Sequence, residues 1–217
     1  MWPLILLGVV VASIVWQQIV DHDRRKIDRR PLTEVSETAI AAIKRDGARV
    51  RVKGRAVARE ALRTSPISFQ DCIGYRLTVE RYDGDDDKAW TKVIDQDALA
   101  TFVIADETGQ AVLHAPFELR LPSTGAEGRD LPRAVVEALA NADVARDDFF
   151  GMPNTFRYAE TVLLPGDEII AVGFASFEID PAVRSASHRE PPVRCHLKGS
   201  EEAVILANVE QAWTGST

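Results

Sequence analysis

Cysteine is scarce in this chain: its 217 residues hold two, Cys72 and Cys195, far apart. That count excludes a disulfide framework, and without a Cys-x-x-Cys pair it excludes the usual zinc ribbon as well. The one Cys–His neighbour pair, Cys195–His196, has poor ligand geometry because adjacent residues on a strand point to opposite faces. A basic stripe is missing too. Asp and Glu total 33 against 26 Lys and Arg, a formal net charge of −7, whereas a nucleic-acid binder needs clustered cations to neutralise phosphates. There is no Gly-x-Ser-x-Gly, no His-Glu-x-x-His and no phosphate-binding loop. No catalytic residue, metal ligand or cofactor is therefore expected. Glu160 and Asp167 flank one hairpin and read as surface or turn-stabilising carboxylates. The rival reading is an enzyme whose cleft gathers separated residues such as His114, Tyr158 and Glu160.

One long hydrophobic run is present. Trp2 to Val20 reads WPLILLGVVVASIVWQQIV, and as a helix it extends about 28 Å, close to the ~30 Å hydrocarbon core of a bilayer. Trp2 and Trp16 suit the interfacial belts. A secretory signal would start with Lys or Arg and end at a small-residue cleavage site, and a core helix would show a polar face; this run does neither. Arg24, Arg25, Lys26, Arg29 and Arg30 follow directly. Basic flanks mark the cytoplasmic side, so the expectation is a single-pass membrane protein, as in a bacterial inner membrane, with its N-terminus outside and its domain inside. The same cations can attract anionic lipid.

The rest reads as α+β but mainly β: a small barrel-like or sandwich-like antiparallel sheet with an inserted helix, preceded by the transmembrane helix. The expected divisions are an anchor over 1–20, a basic segment with a short helix over 21–47, a domain over 48–207 and a tail over 208–217. Val35, Ala39, Ile40 and Ile43 fall at helical spacing, and Gly47 is a stop. Arg49 to Lys53 alternates as a strand, with Gly54 a candidate bulge. Ile73, Tyr75, Leu77 and Val79 alternate similarly, and Tyr75 and Tyr158 are expected as core aromatics with a hydroxyl partner. Asp83 to Asp87 reads as a solvated turn. Ala100 to Ala105 and Ala111 to His114 form a hairpin around Asp106 to Gly109, and Leu119 and Leu121 mark a further strand. A helix follows, with Asp130 as its cap, Pro132 in its first turn and Leu131, Val135, Leu139 and Ala142 on one face. Arg157 to Leu164 and Glu168 to Phe177 form a hairpin through Pro165-Gly166-Asp167, and late strands cover Arg194 to Leu197 and Ala203 to Leu206.

Several of these segments together resemble a known family. They are Thr64-Ser65-Pro66 with Cys72-x-x-Tyr75-Arg76, then Phe102-x-Ile104-x-Asp106-x-Thr108-Gly109. Arg157-Tyr158-x-Glu160 and Leu164-Pro165-Gly166-Asp167-x-Ile169-x-Ala171-x-Gly173 complete the set. From about Arg49 to Leu206 the chain resembles the GIDE, or beside-a-membrane, domain of mitochondrial E3 ubiquitin ligases and their bacterial relatives. The resemblance implies that Tyr75, Asp106, Gly109, Tyr158, Glu160, Pro165, Gly166, Asp167 and Gly173 define the domain rather than catalyse a reaction. It also implies, in the ligases, a second span and a C-terminal RING, each of whose zinc ions needs four Cys or His ligands. This sequence has two cysteines and four histidines and no second apolar run after Leu206. The expected function is thus a non-catalytic interaction or scaffold module at the membrane, its partners the bilayer and another membrane or membrane-proximal protein. Ubiquitin-ligase activity is the alternative that resemblance alone would supply.

Overall fold

The computed structural model describes residues 34–83, 90–147, 151–179, 193–199 and 203–208. Strands dominate. β1 (Arg49–Val57) puts Val50, Val52 and Ala56 inside and Arg49, Arg51, Lys53 and Arg55 outside, the period-two pattern of a strand with one buried face. It pairs antiparallel with β11 (Glu168–Ile179) along one edge and with β6 (Phe102–Ala105) along the other. β6 forms a hairpin with β7 (Gln110–Leu113), β7 runs parallel to β12 (Val193–Lys198), and β12 returns antiparallel to β11. The order β1-β6-β7-β12-β11 therefore closes on itself as a small five-stranded barrel. With its strands counted in chain order, the ring runs 1-2-3-5-4 with one parallel pair, the connectivity of OB-type Greek-key barrels. Phe102, Ile104, Leu113, Ala171 and Leu197 fill it. β13 (Val204–Asn208) adds to β11, and β8 (Phe117–Arg120) runs parallel to β13.

Two excursions from the barrel build a second layer. Between its first and second strands come β2 (Arg63–Thr64), β3 (Asp71–Cys72), β4 (Gly74–Tyr82) and β5 (Trp90–Leu99). Between its third and fourth come β8, β9 (Ser123–Gly128), the single helix among the described residues, α1 (Arg133–Asn141), and β10 (Phe156–Leu163). β5-β4-β10-β9 is an antiparallel four-stranded sheet. One face meets α1 in a second core of Leu77, Val79, Ile94, Val135, Leu139 and Phe156. On the same sheet Arg76 pairs with Asp95, and Arg157 pairs with Glu80 while its guanidinium lies 4.6 Å from the Trp90 ring centre. Asp95 is held down to about 2, first by its bond to Arg76 and then by Lys92.

The mainly-β barrel with an inserted helix is as expected, and the structure corrects several details. The strands on either side of Pro165-Gly166-Asp167 do not form the expected hairpin: β10 pairs with β4 and β9 in the four-stranded sheet, and β11 with β1, β12 and β13 in the barrel. The sheet is not wholly antiparallel, because β7–β12 and β8–β13 run parallel. The helix read over Val35 to Ile43 is only a 3₁₀ turn, Ile40–Ala42, flanked by extended backbone at Ala39 and Ile43. Its apolar spacing comes from burying Ile40 and Ile43 against the barrel core instead. Gly54 marks no bulge. β1 continues through it in register, and a Cβ there would lie 2.5 Å from the Ala105 carbonyl oxygen, so the glycine permits β6 to approach. α1 begins after Pro132 rather than Asp130, and Ala142 is exposed. β5 and β9 are not among the strands read from sequence: in β5 only Ile94 is fully buried, and nearly all of β9 is exposed. The anchor over Trp2 to Val20, the basic flank at Arg24, Arg25, Lys26, Arg29 and Arg30, and the acidic turn beyond Asp83 lie outside the described residues. Among the described residues no helix is long and apolar enough to cross a membrane. Gly54→Ala is expected to destabilise the domain by about 1–3 kcal/mol, the usual range for overpacking, as a lower denaturation midpoint followed by tryptophan fluorescence.

Candidate functional site

The motif carboxylates are acceptors for backbone N–H groups. Asp106 ends β6, and its Oδ1 accepts from the Thr108 amide (2.7 Å), the Thr108 hydroxyl (2.6 Å) and the Gly109 amide (2.8 Å). Its Oδ2 accepts from the Ile40 amide at 2.8 Å, while the Thr108 hydroxyl oxygen accepts from the Ala41 amide at 3.1 Å. One side chain thus shapes the β6–β7 turn and satisfies a 3₁₀ terminus, whose first amides have no partner of their own. These bonds hold the Asp106 carboxyl below its ordinary value although burial opposes them. Asp167 Oδ2 accepts from the Leu164 amide at 2.8 Å, closing the Pro165–Gly166 turn. Gly166 has φ +90°, a left-handed conformation that favours glycine. The turn docks on β1 through Gly166 N–H to the Ala56 carbonyl (2.8 Å) and Ala56 N–H to the Asp167 carbonyl (2.9 Å). Gly173 lies where a Cβ would come 3.2 Å from the Lys198 carbonyl oxygen, so it allows the close strand approach expected of it.

Glu160 has a folding role that its sequence position conceals. It is 1% exposed on β10, and its oxygens accept from the Ile67 amide at 2.8 Å and the Ser68 amide at 2.9 Å. The loop it grips joins β2 to β3 and is further tied by Ser65 N–H to the Gln70 carbonyl (2.9 Å) and Gln70 N–H to Ser65 Oγ (3.1 Å). Phe69, at φ +55° and 77% exposed, is carried at its tip. Tyr75 and Tyr158 are half-buried rather than core, and neither hydroxyl bonds another described residue; Tyr158 packs against the second core. Glu160 and Tyr158 share β10, whereas His114 follows β7 in the barrel, and no bond joins it to them.

A different pair comes together that sequence spacing did not show. His114 Nε2 and His196 Nδ1 are 2.7 Å apart. Their rings are within 15° of parallel with centroids 5.0 Å apart, the separation left by an end-on N–H···N bond, whereas face-to-face rings offset to that distance could not bring two nitrogens so close. One nitrogen must donate and the other accept, so the pair cannot hold both extra protons without separating. The network favours His114 donating, since His196 Nε2 then presents its hydrogen toward Glu178 Oε2 at 3.7 Å. Glu178 is also paired with Lys198. Both histidines are lowered, chiefly by burial; Lys198 adds to this at His114, and His114 and Lys198 at His196, while Glu178 opposes. The only signal in sequence is that each lies on an outward strand position, and the β7–β12 register alone makes them neighbours. Cys195 points the other way into the core, its thiol pushed up to about 11 by burial. Both cysteines are free, and no described trio of His, Cys, Asp or Glu is placed to hold a metal.

Beside this pair is a half-open hollow of about 440 Å³, lined among the described residues by Val57, Ala58, Arg59, Val103, Gln110, Val112 and Arg194. Comparison with protein-family models, curated proteins and solved structures finds no match to the chain.

Glu160→Gln places an amide N–H₂ against one of two buried donors. A loss of about 1–3 kcal/mol is expected, with faster hydrogen exchange at Ile67 and Ser68 before any change in barrel amides. The histidine pair gives a pH dependence of definite sign. With folded values below the ordinary 6.5, the unfolded chain binds more protons just below that pH, so the pair's contribution is fully present above 6.5 and declines as pH falls beneath it. Denaturant titrations across that window should show this slope, and replacing both histidines with glutamine should flatten it.

Proposed function

We propose that this chain is a membrane-tethered, non-catalytic interaction module of the beside-a-membrane type, held by Trp2 to Val20 with its domain on the cytoplasmic side. The carrying observation is the use made of the motif carboxylates. Asp106, Glu160 and Asp167 each spend their oxygens on backbone amides of turns. A general acid or base must be within reach of a substrate proton and able to exchange its own; Glu160 could do so only by releasing the loop it holds. Residues used in this way serve a scaffold, as the family resemblance implies. β9, at one edge of the four-stranded sheet, suits a partner that adds an extended segment, because Ser123–Gly128 is almost wholly exposed and carries neither Lys nor Pro to block pairing. The partners on this reading are the bilayer, with the cations at Arg24 to Arg30 against its anionic face, and a second membrane or membrane-proximal protein.

Two measurements test the reading together. Full-length protein should sediment with membranes and float with liposomes, whereas a chain lacking residues 1–20 should not, and protease added outside intact cells should leave the domain uncut. Digestion from outside would reverse the topology, and membrane-free behaviour of the full chain would remove the tether.

A further inference from the structure

The outward face of the barrel carries an apolar row that ends in charge. Strand register places Val57 opposite Val103, Val103 opposite Val112, Val112 opposite His196 and His196 opposite Ser176. Directly paired residues share a face of the sheet, so three valines in line form a floor beside the histidine pair. Gln110 and Arg194 also line the hollow, as does Arg59, just past the end of β1.

Charge on this face is opposite in sign to the chain as a whole. The protein carries −7 overall, yet the charged residues that line the hollow, Arg59 and Arg194, are both cationic, and no described carboxylate lines it. Away from the lining, Lys198 is paired with Glu178, and Glu168, which stands opposite Arg55, lies 3.3 Å from Lys53 Nζ. Arg194 has an interaction of its own, so Arg59 and the Gln110 amide are the donors assigned to a ligand. A concave site with cationic walls concentrates anions, and a guanidinium fork matches a carboxylate.

We propose that this hollow binds a small organic carboxylate with a branched or cyclic apolar body. The carboxylate meets Arg59 and Gln110, and the body lies on Val57 and Val103, next to the buried Val112. The volume of about 440 Å³ falls in the usual range for small-ligand sites. An inorganic anion would leave the valine floor unused. A nucleic acid strand would want aromatic platforms for its bases, and none lines the hollow among the described residues. The residues that line the hollow are not those of the proposed tether, so the two proposals are tested independently.

The test uses the full chain in nanodiscs of zwitterionic lipid, with cyclohexanecarboxylate as probe and its neutral carboxamide as comparison, read by saturation-transfer NMR. Saturable binding of the carboxylate is expected, with the amide about tenfold weaker or more, as fits the loss of a charge-assisted bond. Arg59→Gln, at an exposed position, should weaken the carboxylate about tenfold. Val57→Glu, at a residue 41% exposed, should abolish binding by placing a like charge on the floor. Arg63→Gln, an exposed control away from the hollow, should leave affinity unchanged. The proposal is overturned by any of four results: no saturable binding to the natural chain, equal binding of the amide, natural affinity in Arg59→Gln, or an equal loss in the Arg63 control.

Discussion

Backbone hydrogen bonding along β11 is the constraint on which the fold depends. Its twelve residues pair with β1 on one edge and with β13 and then β12 on the other. That double engagement closes the barrel and removes the free edges an open sheet would present. It also explains the composition of β11: Ile169 to Gly173 is buried continuously, as expected of a strand covered on both faces. The glycine in that run is where the end of β12 and the start of β13 come together. The histidine pair and the valine floor exist because this closure sets the register of β12 against β7.

The same economy governs the turns. A loop gripping a barrel leaves backbone amides facing inward, and a buried amide without an acceptor is costly. Here that cost is met by single carboxylates acting across large sequence separations: Asp106 on Ile40 and Glu160 on Ile67 and Ser68. A carboxylate suits the task because it accepts only, offers several lone pairs and makes the stronger, charge-assisted kind of bond. This gives a physical reason why Asp, Glu and Gly recur in segments that build turns.

The start of β4 and the end of β10 meet where Ile73 N–H bonds the Leu163 carbonyl at 2.8 Å, and both residues pack into the barrel core. The four-stranded sheet therefore rests on the barrel through β4 and β10 and keeps its own core with α1. Val103 on β6 and Gln110 and Val112 on β7 line the hollow. Structure-building residues and the proposed binding face are thus separate: the carboxylates serve the turns, and the cations and valines stand on the outward wall.

Sequence alone determined the parts that depend on local rules. Alternation located β1, β4, β10 and β11 to within a residue or two, and turn chemistry located the Asp106 and Pro165–Gly166 turns. It also singled out Asp167 as a residue that bonds its own turn, because these interactions span only a few residues. Tertiary structure decided everything that needed a partner distant in the chain. Glu160 reads as a surface or turn-stabilising carboxylate in sequence, and only the fold buries it and brings the loop at Ile67 and Ser68 to it. Ile40 and Ile43 imitated a helix because burial on a barrel can produce helical spacing in an extended segment. β5 and β9 were silent, since a strand with few buried positions leaves no periodic signature and is held by its neighbours' backbone. Register likewise placed His114 against His196 and aligned Val57, Val103 and Val112, and register is a property of paired strands that no single strand encodes.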